Sequence, residues 1–158
     1  QAIMFPESLP EVERFRISAD DYRFVRQYMS QLPGESSTPA YPLPDYWPAY
    51  CKFLYYGSDP KVVPQTNRMR IFNKVGDAYG FLTDVAYIVD FETGIEFMLS
   101  ATIYCNSDGI LNDDKYDYDT IGYPFMKNLG QVLYDFESKR NRKHKPDLSA
   151  FKLGYDKR

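Results

Sequence analysis

The chain has few of the side chains on which many enzymes depend. Its 158 residues include one histidine, His144, and two cysteines, Cys51 and Cys105. A single histidine in the basic run 139–145 is a poor base for a Ser-His-Asp or Cys-His site. Three such side chains also cannot form a tetrahedral Cys/His zinc site within one chain. The two cysteines leave open whether a disulfide forms.

Long apolar runs and a strong charge of one sign are missing too. No apolar stretch approaches the roughly 18 residues of a transmembrane helix, so we expect no membrane span. A net charge of −3 argues against a nucleic-acid-binding surface. The acidic loop 106–119 is not an EF-hand, because Tyr104 and Lys115 occupy positions that require acidic ligands. Whether its aspartates bind a cation stays open.

The residues that are present suit one globular domain. Apolar residues make up 44% of the chain and aromatic residues 17%, enough to form a core. Nine of the 11 prolines lie in the first 64 residues. We therefore expect one domain, 1–158, with a loop-rich helical part (1–64), a sheet with a C-terminal helix (65–145) and a tail (146–158). Gln1 is neither an initiator nor part of a signal peptide, so we expect that a segment preceded it.

Helical spacing predicts two N-terminal helices and one long C-terminal helix. The first begins after Ser18, which can cap it, and its expected buried stripe is Tyr22, Val25, Tyr28 and Met29. The second follows Asp45, and its repeating residues are Trp47, Tyr50, Cys51, Leu54 and Tyr55. The last follows Pro124, and its expected apolar face is Phe125, Leu129, Val132, Leu133 and Phe136.

Alternation with a period of two predicts three strands, at about 68–75, 82–90 and 95–104. Turn residues separate consecutive strands, which favours an antiparallel meander. With the helices, the sequence predicts an α+β fold.

The segment Arg70–Ile88 carries a resemblance to a known family. Lys74, Val75 and Gly76 are followed by a glycine-containing turn and by Thr83-Asp84 at the start of the next strand. This arrangement resembles the paired strands of class A β-lactamases and related penicillin-interacting, DD-peptidase-like serine hydrolases, in which a strand ends in Lys-Thr-Gly. The order strand, hairpin, strand, helix agrees with that family, which implies a partial β-lactamase or transpeptidase-like fold.

The resemblance implies roles for four residues. Lys74 would supply a positive charge beside the reacting serine, and Asn73, Val75 and Gly76 would contact the substrate. The implied substrate is an amide or ester, such as a cell-wall peptide or a β-lactam-like small molecule, with no cofactor. The implied location is the periplasm or the cell exterior. Val75 departs from the family pattern, because it has no hydroxyl with which to bind a carboxylate.

The chain lacks a suitable nucleophile. Its two S-x-x-K strings, Ser58–Lys61 and Ser149–Lys152, do not open an apolar helix upstream of Lys74. We therefore expect the upstream half of the same protein to supply the serine, and the chain alone to be inactive. The alternative is a non-catalytic binding or protein-interaction module of the same fold.

Fifteen tyrosines also raise the hypothesis of sugar binding. Core packing is the simpler interpretation for those at helical or strand spacing, which are Tyr22, Tyr28, Tyr50 and Tyr87. The better surface candidates are Tyr116, Tyr118 and Tyr123.

Overall fold

The computed structural model describes residues 1–155 and confirms the α+β class. In chain order, the α-helices and β-strands of this part are α1 (Ala19–Ser30), β1 (Met69–Ala78), β2 (Phe81–Asp90), β3 (Ile95–Tyr104) and α2 (Tyr123–Lys139). The three strands form one antiparallel sheet in the order β1-β2-β3. Within residues 1–155, no helix is long and apolar enough to cross a membrane.

Two tight turns fix the register of the sheet. β1 runs three residues beyond the predicted end and joins β2 through Tyr79 and Gly80, whose φ angles are 52° and 90°. Positive φ at both positions is typical of the two-residue turns whose twist matches that of the strands. The turn between β2 and β3 is held by Asp90, whose carboxylate accepts hydrogen bonds from the backbone of Glu92 and Thr93 at 2.9 and 3.0 Å.

The sheet buries its two faces to different extents. One face packs against α2 and the segment 53–56, and its core residues include Ile71, Leu82 and Ile88. The other face is covered only in part, where Phe72, Tyr87, Val89, Met4, Leu148 and Phe151 form a second cluster. Nearer the β1–β2 turn, this face exposes large side chains, namely Phe81, Val85, Met98 and Tyr104.

The prediction of a second N-terminal helix is wrong. Residues 47–55 form consecutive turns, and Cys51 and Tyr55 have positive φ angles of 59° and 72°. The local backbone hydrogen bonds are those of single turns, such as Lys52 N to the Ala49 carbonyl at 3.1 Å, and Leu54 N donates instead to the distant Asp84 carboxylate at 3.0 Å. Trp47 Nε1 also donates to the Ser58 carbonyl at 2.6 Å. These contacts outweigh the local helical pattern.

The predicted helix α1 is confirmed, and so is its cap. Ser18 Oγ accepts a hydrogen bond from Asp21 N at 3.1 Å, while the Asp21 carboxylate accepts one from Ser18 N at 2.8 Å. The predicted buried stripe is wrong at Tyr28, which is 52% exposed. Val25 and Met29 are half-buried.

The long helix α2 is confirmed, but its predicted buried face is wrong. The fully buried residues are Met126, Gly130 and Tyr134, spaced four apart. Val132 and Phe136, which the spacing placed in the core, are each 64% exposed. The helix is rotated relative to the prediction because Gly130, which has no side chain, is the point of closest approach to the segment 53–57.

Candidate functional site

The outer edge of β1 is the part of the sheet to which the sequence directs attention. Along β1, the N–H and C=O groups of successive residues point alternately towards β2 and away from it. Those of the odd-numbered residues point away from β2. Two of these carbonyls accept hydrogen bonds from lysines, that of Ile71 from Lys52 Nζ at 3.0 Å and that of Val75 from Lys74 Nζ at 2.6 Å. Within residues 1–155, no hydrogen bond pairs the outward backbone groups of Asp77. This stretch of edge is open to an extended ligand.

The structure separates the four predicted site residues. Lys74 lies in the middle of β1, not at its end, and is exposed on the incompletely covered face together with Gly76. No atom lies within 4 Å of the position that a Cβ on Gly76 would take. Val75 faces the other way and packs against the core. Asn73 lies on the same face of the sheet as Val75 and is buried there in contact with Lys52 and Asp84.

Asn73 bridges a buried lysine and a buried aspartate. Lys52 Nζ donates to Asn73 Oδ1 at 2.7 Å, and Asn73 Nδ2 donates to both carboxylate oxygens of Asp84 at 3.1 Å. The ammonium group also donates to the carbonyl of Met29 at 2.8 Å. This buried cluster, Lys52–Asn73–Asp84, therefore connects the end of α1, the segment 51–54 and two strands.

Burial changes the pKa of both charged members of the cluster. Loss of solvation lowers the pKa of Lys52 to about 8, opposed by the charge of Asp84. Loss of solvation raises the pKa of Asp84 to about 6, opposed by hydrogen bonds from Leu54 N and Asn73 and by the charge of Lys52. With 5% and 0% of their surfaces exposed, these residues cannot meet a substrate. Their arrangement is structural.

A pocket of about 260 Å³ lies on the other side of the segment 50–51. Its lining is rich in tyrosine and consists of Tyr28, Gln31, Leu32, Pro33, Ser36, Tyr41, Tyr46, Tyr50 and Cys51. The pocket adjoins β1, because the carbonyl of Cys51 accepts a hydrogen bond from Asn73 Nδ2 at 2.9 Å. We call this the tyrosine pocket.

Three rings of the tyrosine pocket form a continuous row. The ring centroids of Tyr41 and Tyr46 lie 5.0 Å apart at 64°, and those of Tyr46 and Tyr50 lie 5.2 Å apart at 75°. Rings in these edge-to-face contacts fix one another, so their orientation is set before any ligand arrives.

Sequence reasoning missed Lys52 and assigned Tyr28 and Tyr50 to the core. A signal for Lys52 was available, since it is the one charged residue in the otherwise apolar run 47–56 and a charge in such a run needs a buried partner. The tyrosine pocket gave no comparable signal, because its members come together only when the segment 41–51 folds back on α1.

The polar residues suggested for other chemistry do not converge. Both cysteines are free thiols, Cys51 half-buried and Cys105 buried. In the part of the chain that the structure describes, no three His, Cys, Asp or Glu side chains form a group that could hold a metal ion.

No family model, no curated protein and no solved structure matches the chain. A functional assignment therefore depends on β1, the buried cluster and the tyrosine pocket themselves.

Proposed function

We propose that this chain is the C-terminal part of a β-lactamase-like serine hydrolase and forms one wall of an acyl-transfer site. The observation that carries the proposal is an edge strand with Lys74-Val75-Gly76 joined by a tight turn to a strand that contains Thr83-Asp84. The serine nucleophile would come from the upstream half of the same protein. The resemblance also implies that this protein is exported.

The chemistry of the β1 edge suits an amide or ester substrate. An extended substrate can pair with the open outward backbone groups of Asp77 at the end of the strand, as a peptide adds to the edge of a sheet. Gly76 leaves room on the strand for the approach of such a chain. The exposed ammonium of Lys74 supplies a positive charge near the reacting centre, where it would stabilise negative charge developing on the substrate.

Exposed apolar surfaces support the proposal that a further segment of the protein packs against this chain. Phe125, Val132 and Phe136 leave an apolar stripe on the outer side of α2, with exposures of 42%, 64% and 64%. The outer edge of β3 is also open, because within residues 1–155 no hydrogen bond reaches the outward backbone groups of Ser100 and Thr102. Apolar side chains exposed together on one face are typical of an interaction site. The upstream half of the same protein is the occupant that we propose.

A non-catalytic module of the same fold is the second candidate. The observation in its favour is Val75, which packs against the core instead of offering a hydroxyl to a substrate. Asp84 is also fully engaged inside the protein by Asn73 and Leu54. A site built on this strand could bind a peptide without cleaving it.

Active-site labelling tests the proposal. The 158-residue chain alone should not react with a fluorescent penicillin or a fluorophosphonate. The chain expressed together with the upstream residues of its gene should be labelled on one serine of the upstream half. Lys74→Ala should slow that labelling about 100-fold, the size of effect seen when one electrostatic contact to the transition state is lost.

Two controls make the labelling experiment specific. Lys139→Ala removes an exposed positive charge at the end of α2 and should leave the rate unchanged. Lys74→Arg keeps the charge and should retain more of the rate than Lys74→Ala. Labelling of a serine in the 158-residue chain alone would contradict the proposal. A longer protein that folds but is never labelled would favour the binding module.

A further inference from the structure

The tyrosine pocket combines ring surfaces with hydroxyl groups. Each tyrosine has an apolar ring and a polar tip. Within residues 1–155, no hydrogen bond occupies the hydroxyl groups of Tyr28, Tyr41 or Tyr46. A purely hydrocarbon ligand would use the rings and leave the hydroxyl groups without partners. A sugar ring has C–H groups on its faces and hydroxyl groups around its rim, and therefore matches both parts of the lining.

The charges around the pocket favour an uncharged ligand. None of the residues that line it carries a formal charge at neutral pH. Charges of both signs lie outside the lining, because the carboxylate of Asp77 and the ammonium groups of Lys52 and Lys74 all act electrostatically on Cys51. Neither sign of charge is presented alone at this wall.

The size of the pocket limits the ligand to one ring at a time. A volume of about 260 Å³ lies just under the range of roughly 300–1,000 Å³ of sites for drug-sized molecules. The ring centroid of Trp47 lies 4.9 Å from that of Tyr50, but Trp47 packs against the core, so the pocket wall ends at Tyr50.

From these observations we infer that the tyrosine pocket binds one uncharged sugar residue of a glycan. This goes beyond the proposed function, because sugar binding needs neither a nucleophile nor a second half of the protein. Tyr28 and Tyr46 stack on the ring, and the hydroxyl groups of the tyrosines bind its hydroxyl groups. Gln31 contributes its side-chain oxygen, because its Nε2 already donates to the carbonyl of Glu35 at 2.8 Å.

Protection of Cys51 from alkylation tests the inference on the 158-residue chain. The probe is chitotriose, an uncharged trimer of N-acetylglucosamine, and the readout is the rate of iodoacetamide modification at each cysteine by mass spectrometry. Chitotriose at saturation should slow the modification of half-buried Cys51 about tenfold or more, the size of effect expected when a bound ring shields the thiol. Cys105 is 1% exposed and serves as an internal reference.

Matched variants locate the binding. Tyr28→Leu and Tyr46→Leu should each weaken the protection by chitotriose about tenfold. Tyr28 is half-exposed on α1, so its replacement leaves the core intact. Tyr104→Leu removes an equally exposed tyrosine on β3 and should change nothing. Near-UV circular dichroism shows that each variant is folded.

Three results would overturn the inference. The first is no protection by chitotriose in a folded chain, and the second is protection that persists in both pocket variants. The third is protection by tetramethylammonium or a proline-rich peptide in place of the sugar. None of these readouts involves a reactive serine, so the labelling experiment on Lys74 can fail or succeed independently.

Discussion

At the scale of single residues, Asn73 is the side chain whose environment differs most from its expected role. The resemblance implied a contact with substrate, yet its amide is held on three sides by Lys52, Asp84 and the carbonyl of Cys51. An amide can donate to a carboxylate and accept from an ammonium group at once. It therefore lets the protein bury two opposite charges without placing them in direct contact.

This arrangement gives an unusual dependence of stability on pH. Asp84 has a folded pKa of about 6, above its unfolded value, so its contribution to stability is full at acidic pH and is lost as the pH rises through 6. Lys52 has a folded pKa of about 8, below its unfolded value, so its contribution is full at alkaline pH and is lost as the pH falls through 8. The combined contribution of the two groups should be lowest between pH 6 and 8.

Urea unfolding at a series of pH values measures this contribution. Asp84→Asn should remove the pH dependence between its unfolded pKa of 3.8 and pH 6, and Lys52→Met the dependence between pH 8 and its unfolded pKa of 10.5. Asp114→Asn and Lys139→Met change exposed residues and should keep the profile of the parent chain. If the profiles of all four variants run parallel to that of the parent, the buried cluster does not titrate in this range.

At the scale of elements, the docking of α2 depends on one glycine. A Cβ added to Gly130 would lie 2.3 Å from the backbone nitrogen of Tyr55 and 2.7 Å from its Cα. The helix and the segment 53–57 therefore meet backbone to backbone, and Gln131 Nε2 adds a hydrogen bond to the carbonyl of Tyr55 at 3.2 Å.

Gly130→Ala should lower the free energy of unfolding by about 1–3 kcal/mol, the usual cost of overpacking a core. The loss should appear although alanine has the higher intrinsic helix propensity. Gly34→Ala is the matched control, since nothing lies within 4 Å of its added Cβ. Equal stability of both variants in urea would show that α2 can shift away from the segment 53–57 at no cost.

The difference between local patterns and contacts distant in sequence explains which elements could be predicted from the sequence. The strands depend on alternation with a period of two, a local pattern, and the prediction for β3 is correct to the residue. The segment 47–55 has an equally good local pattern, but Asp84, which is distant in sequence, binds its backbone and prevents a helix. The buried face of α2 was missed because Gly130 contributes to a core by lacking a side chain. The buried cluster and the tyrosine pocket likewise join residues that are far apart in the chain.

At the scale of the whole molecule, the apolar surfaces are distributed unevenly. One face of the sheet packs against α2 and the segment 53–56, while the outer side of α2 and part of the second sheet face remain exposed. Residues of α2 at positions 125, 129, 132 and 136 follow the spacing of a helix that packs against another helix. A chain with such a stripe should associate with itself when no other partner covers it.

Sedimentation velocity tests whether α2 drives this association. The 158-residue chain should form dimers or larger species at micromolar concentration, and Val132→Lys together with Phe136→Lys should make it monomeric. Both residues are 64% exposed, so the double variant should unfold at a temperature close to that of the parent chain. Ser138→Lys adds a charge to an exposed position of the same helix that does not border the stripe, and should leave the association unchanged. The double variant should also impair labelling of the longer protein, because the stripe that dimerises the isolated chain is the surface we propose for its upstream half. If the parent chain sediments as a monomer, the apolar stripe on α2 is no longer evidence for a missing partner.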